Sequence, residues 1–111
     1  MANAREVNVV ATVSSGTLTA RITYKGISGV TSKVVITTYI QKKTLGLFWT
    51  KVDIGQTDNE WVDTVTSVNY SGTHSHSLPS AGTYRAVSEF VVYGSAGSAD
   101  KETRRCEVTY S

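Results

Sequence analysis

Thr17-Leu18-Thr19-Ala20-Arg21-Ile22-Thr23-Tyr24 alternates without interruption. In an extended chain Leu18, Ala20, Ile22 and Tyr24 share one side and Thr19, Arg21 and Thr23 the other, the period of a half-buried strand. Upstream, Val7 to Val13 is rich in β-branched residues, and Ser14-Ser15-Gly16 between the two runs has the chemistry of a tight turn. The pair therefore reads as a hairpin. Downstream, Lys25-Gly26 and Ser28-Gly29 mark a loop.

The same alternation continues along the chain. Lys33 to Lys43 is the longest run, with Val34, Ile36, Thr38 and Ile40 against Val35, Thr37, Tyr39 and Gln41. It is apolar on both sides at its start, as suits a central strand. Thr44-Leu45-Gly46 turns into Leu47 to Ile54, where Phe48, Val52 and Ile54 oppose Trp49, Lys51 and Asp53. A loop at Gly55 to Asn59 leads to Trp61 to Val68, in which Trp61, Asp63 and Val65 share a side. Asn69-Tyr70-Ser71-Gly72 reads as a break, and Thr73 to Leu78 as a short polar edge strand. Thr83 to Tyr93 and Glu102 to Tyr110 complete the set, joined by a flexible tip at Gly94 to Asp100. In the last strand Cys106, Val108 and Tyr110 face inward. Eight strands with turn signals between them predict an all-β antiparallel sandwich, one domain over residues 1–111.

Composition agrees. Ser and Thr make up about a quarter of the 111 residues, and β-branched side chains suit a pleated surface. Only 18% of residues are charged and the net charge is +2. No Lys or Arg run exceeds Lys42-Lys43 or Arg104-Arg105, so no polybasic stripe for nucleic acid or an anionic membrane is visible along the sequence. No apolar run approaches the ~20 residues of a spanning helix, so membrane insertion is not expected. Cys106 is the only cysteine, which excludes a disulfide within the chain. The chain opens Met1-Ala2-Asn3-Ala4-Arg5, without the apolar stretch of a leader peptide.

Two resemblances bear on the fold and its setting. Leu78-Pro79-Ser80-Ala81-Gly82-Thr83-Tyr84-Arg85-Ala86 resembles the corner before the sixth strand of immunoglobulin-like Greek-key sandwiches. There a buried tyrosine returns its hydroxyl to nearby backbone, which implies that role for Tyr84. Ala86 stands where antibody domains carry a cysteine, so no disulfide joins the sheets. More widely, Val30 to Ile36, Tyr39 to Lys43, Trp49 to Val52, Gly82 to Arg85 and Val91 to Tyr93 resemble an uncharacterised family of small secreted, Ser/Thr-rich β-domain proteins of Gram-positive Firmicutes. The resemblance implies an extracellular protein whose leader has been removed. It implies no catalytic residue.

Few residues invite chemistry. His74-Ser75-His76 sets two imidazoles on one side of a strand, a spacing that zinc accepts, but further ligands would have to come from Asp63 or Asp58. The alternative is two solvent-facing residues on a polar edge. No Gly-x-Ser-x-Gly elbow occurs, the acids are scattered, and Cys106 alternates with core residues, so no enzyme is expected and no cofactor is indicated. The aromatics carry more information. Trp49, Trp61, Tyr39 and Tyr93 are candidates for a platform that stacks on sugar rings; the alternative makes one Trp a core anchor and the other a cover for the sheet's end.

Two function classes follow. One is a secreted or cell-surface structural or adhesion module whose partner is a second copy or a surface protein or glycan. Its association would run through the edges Val7 to Val13 and Thr73 to Leu78, which carry no lysine, and Val9→Lys should weaken it. The other is a carbohydrate-binding module using exposed Trp and Tyr.

Overall fold

Strand-forming residues build eight strands in the computed structural model, which describes residues 2–111: β1 (Ala4–Ser14), β2 (Thr17–Gly26), β3 (Thr31–Thr44), β4 (Phe48–Lys51), β5 (Trp61–Val65), β6 (Asn69–Ser77), β7 (Gly82–Gly94) and β8 (Asp100–Tyr110). The β1–β2 hairpin closes on Ser15-Gly16, both at positive φ (51° and 75°), the two-residue turn whose twist matches its strands. All pairings are antiparallel. A three-stranded sheet runs β1-β2-β6, and a five-stranded sheet runs β4-β3-β7-β8 with β5 also on β3. The 14-residue β3 is long enough to carry β5 at Val34–Thr38 and β4 at Gln41–Thr44 in tandem on one edge. The chain places β1 and β2 in the first sheet, β3 to β5 in the second, returns to the first for β6 and ends in the second with β7 and β8, an antiparallel sandwich.

The core lies between the sheets. Leu18, Ala20, Ile22 and Tyr24 of β2 face Val34, Ile36 and Ile40 of β3 and Tyr84, Ala86, Phe90 and Val92 of β7, all essentially fully buried. Each buried Val, Leu, Ile or Phe side chain stabilises by about 1.5–3 kcal/mol. Thr38 and Ser88, partners in the β3–β7 register, are also fully buried and satisfy each other through a 2.8 Å hydroxyl–hydroxyl bond. At the entry to β7 the fully buried Tyr84 donates its hydroxyl to the Ser80 carbonyl at 2.6 Å, so the tyrosine corner forms.

Several expectations change. β4 is only four residues long; Val52 and Ile54 are buried beyond its end, while Phe48 is exposed. The break expected at Asn69 to Gly72 is instead the first half of β6. Gly72 sits there because the Tyr70 side chain lies back over it, in the space a Cβ would fill. The segment expected as a flexible tip is pinned by Asn3, which is fully buried. Its side chain donates to Ser98 O (2.9 Å) and accepts from Ala96 N (3.0 Å), while its backbone N donates to Asp100 Oδ2 (2.7 Å). The Asn3 carbonyl accepts from the Thr31 hydroxyl.

That clamp also sets the edges. β1 and β6 are the edges of the three-stranded sheet, as read from sequence. β1 does not stand alone, however. β1 lies alongside β8 of the other sheet and runs parallel to it: Asn3 holds Asp100 at one end, and the Tyr110 ring lies over the Gly16 turn at the other. The register of β1 with β2 is irregular between Ala4 and Glu6, a bulge the sequence did not signal. Val9 points into the core at 3% exposure, so Val9→Lys would test folding; Val10, on the outward side, is the position that tests the edge.

Tyr84→Phe should cost about 1–2 kcal/mol in urea denaturation, the size of one lost hydrogen bond with its carbonyl left behind. Hydrogen bonds from the Asn3 and Ala2 backbone hold the Asp100 carboxyl below its ordinary value. A depressed carboxylate stabilises the fold above its unfolded pKa and loses that contribution as pH falls through the folded value. The melting temperature should therefore drop on acidification below about pH 4. Asp100→Asn should remove part of that drop, which calorimetry across pH will show.

Candidate functional site

The outward side of the five-stranded sheet is built by the odd-numbered positions of β3, β4, β7 and β8, because register partners point the same way. It gathers Tyr39, Trp49 and Tyr93, three of the four aromatic candidates. Each ring holds a cation against it. The Arg85 guanidinium lies 4.1 Å from the Trp49 centroid, with Lys43 at 5.7 Å; Lys51 lies 4.6 Å from Tyr39, and Lys33 lies 4.9 Å from Tyr93. These long side chains lie flat on the sheet. Val87 points outward between Tyr39 and Arg105 and is nevertheless fully buried.

Polar contacts fix the arrangement. Arg85 donates from Nε to Gln41 Oε1 at 2.7 Å, which holds its plane beside Trp49. Lys51 donates to Glu60 Oε2 at 2.7 Å, and that bond raises the lysine's pKa above its usual value. Burial raises the Tyr39 hydroxyl, and Glu89 adds to the effect, although Lys51, Arg105 and Arg85 oppose it. Lys33, Lys43, Lys51, Arg85, Lys101 and Arg105 share this face with the carboxylates Glu89 and Glu107, and Glu60 reaches it to pair with Lys51. Cations thus outnumber carboxylates on it by six to three.

The opposite outer face, on the three-stranded sheet, is chemically different. Its pairs are Thr12–Thr19, Thr19–Ser75 and Thr23–Ser71, with Thr19 and Ser75 bonded through their hydroxyls at 2.8 Å. Lys25 there pairs with Glu6 at 3.8 Å.

Trp61 does not join the platform. It is the register partner of buried Thr38 and points inward, at the open side where β5 meets β6. There it stacks on His74 with centroids 4.9 Å apart and planes 6° apart, and His74 Nε2 meets Asp63 Oδ2 at 2.6 Å. This ring pair and hydrogen bond close one side of the sandwich by tying the two sheets together. His74 and His76 share the core side with Leu18 and Ala20 rather than facing solvent. Asp63, the carboxylate named as a further zinc ligand, is beside His74. Among the described residues, though, no three His, Cys, Asp or Glu side chains assemble into a metal site. Burial raises the nearby Tyr70 hydroxyl, with Asp63 contributing. Cys106 faces inward against the core but is only half buried, at a position on the edge strand β8.

A concavity was not legible in the sequence. A cleft of about 850 Å³ opens at one end of the three-stranded sheet, lined by Arg5, Tyr24, Ile27, Val68 and Tyr70 among others. The Tyr24 hydroxyl nearby is the one buried side-chain polar atom without a partner among the described residues. It is shielded from the cleft, because Tyr24 is only 1% exposed.

The chain matches no protein-family model, and no curated protein is significantly similar to it.

The two tryptophans should separate cleanly. Trp61→Ala removes a ring packed between the sheets and should cost about 2 kcal/mol, below the 3–5 kcal/mol of a fully buried aromatic because Trp61 is only partly buried. Trp49 is partly buried too, but under Arg85 on the outward face, so Trp49→Ala should cost less, about 0.5–1 kcal/mol, the size of one exposed cation–ring contact. Equal losses in urea denaturation would mean that Trp49 is structural.

Proposed function

We propose that the chain is a secreted or cell-surface module that adheres without catalysing, and that the outward side of its five-stranded sheet is the adhesive surface. The observation that supports this reading is the gathering of Tyr39, Trp49 and Tyr93 on one broad face, each with a cation held over it. Aromatic and Arg side chains are the groups that anchor recognition surfaces, because they offer large contact area with little rotamer freedom to lose. The hydroxyl-rich opposite face carries Arg21 but no aromatic ring among the described residues. The extracellular setting rests on the resemblance to secreted Ser/Thr-rich domains.

Association of copies through strand edges is a second reading, favoured by β6, which runs for nine residues without Lys, Arg or Pro. The two readings give different outcomes. On immobilised glycans and cell envelopes, Tyr39→Ala/Trp49→Ala should reduce retention at least about ten-fold, equivalent to ~1.4 kcal/mol. Thr19→Ala/Ser75→Ala on the other sheet should not. If retention instead tracks particle size in light scattering and is lost with Val10→Lys, edge association is the operative mode and the face is not.

A further inference from the structure

Three features compete for a role beyond the fold: the cleft beside Tyr24, the Trp61–His74–Asp63 cluster, and the cationic face. The first hides its one unpartnered polar atom, and the second is consumed in joining the sheets. The third leaves donors free.

We propose that the cationic face takes an acidic polysaccharide, a polymer of carboxylate-bearing sugars, with Arg85 as its anchor; this rests on the reading of that face as the adhesive surface. Arg85 carries the argument. Its ring-like plane lies 4.1 Å from the Trp49 centroid, and its Nε is bonded to Gln41 Oε1 at 2.7 Å. That holds the guanidinium in one orientation before any ligand arrives, while its two terminal nitrogens have no hydrogen-bond or ion-pair partner among the described residues, Glu107 across the β7–β8 ladder included. A planar fork with both ends free fits a carboxylate in two-point fashion, and holding it in advance reduces the entropy lost on binding.

The neighbours extend the site into a track. Gln41 pairs with Arg85, so Lys43, two residues on, is diagonal to Arg85 across β3 and β7. Val87 pairs with Arg105, so Arg105 is diagonal to Arg85 across β7 and β8. Diagonal neighbours lie about 7–8 Å apart, within reach of long side chains, so Lys43, Arg85 and Arg105 form an oblique line over three strands. None of the three has an ion-pair partner among the described residues. A polymer with a charge on successive units meets several cations at once, and the weak single contacts add.

The same geometry discriminates between classes of partner. Neutral sugars stack on bare aromatic faces, and bases do likewise in single-stranded nucleic acid. Here Trp49, Tyr39 and Tyr93 already hold cations. What the face offers a visitor is positive charge on an aromatic bed, and that selects anionic groups carried on a non-stacking backbone.

The test is affinity electrophoresis of the whole chain in gels containing polygalacturonate, neutral dextran or oligothymidylate. Polygalacturonate should retard the protein, dextran should not, and the retardation should weaken as salt is raised. Arg85→Gln should lower the polygalacturonate affinity about ten-fold, and Arg85→Lys should recover only part, because the charge returns without the fork. Arg105→Gln, which disturbs no contact with Trp49, should lower it about three-fold and guards against a folding artefact; Arg21→Gln on the other sheet should leave it unchanged. Tighter binding of oligothymidylate, or affinity indifferent to Arg85 and Arg105, overturns the proposal. Retardation by dextran that Tyr39→Ala/Trp49→Ala abolishes overturns the acidic ligand and leaves the adhesive face standing. Retardation by polygalacturonate that Arg21→Gln alone removes overturns both.

Discussion

The β3–β7 pairing is the constraint on which the other elements depend. These two strands are the longest in the chain, they sit at the centre of the five-stranded sheet, and they are in register from Lys33–Tyr93 to Lys42–Tyr84. A slip by one residue would turn the core set of one strand out to water, either Val34, Ile36 and Ile40 or Phe90 and Val92. It would also strand Thr38 and Ser88, whose hydroxyls find each other only in this register. Two polar groups in the middle of an apolar face are tolerable when paired and costly when not, so the pair penalises alternatives more than it stabilises the native state. With β3 and β7 fixed, β3 offers its free edge to β4 and β5, β7 accepts β8, and Tyr84 is placed to close the corner.

Legibility followed locality. The strands Thr17 to Tyr24 and Lys33 to Lys43 were readable because one face of each is buried and the period of two is strict. The tyrosine corner was readable because its donor and acceptor are four residues apart. Gly72 misled because glycine inside a strand looks like a turn, and only the Tyr70 ring lying over it explains its presence. Asn3 carried no signal, since the partners of its side chain are more than 90 residues away.

The aromatic candidates were separable by parity, and the separation has a physical reading. Trp61 and Asp63 alternate with buried Val65, so their side is the inward one. His74 and His76 share parity with Tyr70 and Leu78, both packed inward, so they face the core side too. Tyr39 and Trp49 fall outward. What no pattern could supply was the cation over each ring, because Arg85 reaches Trp49 from a strand 36 positions further along the chain. Charge that is scattered along the sequence becomes concentrated when every second residue of neighbouring strands lands on one plane. A composition with little net charge is therefore compatible with a strongly one-sided surface.

The side-by-side, parallel course of β1 and β8 has a mechanical consequence. Ala2 and Asn3 sit with the start of β8 at one end of a body 45 Å long, and Tyr110 sits with the Gly16 turn at the other. Tension applied between these two ends pulls β1 along its own axis against β2, and β8 along its own axis against β7. Both ladders then resist in shear, with their hydrogen bonds sharing the load together instead of opening one after another like a zip. A module that holds on by a flat sheet face and is pulled from its ends would deform little before it let go.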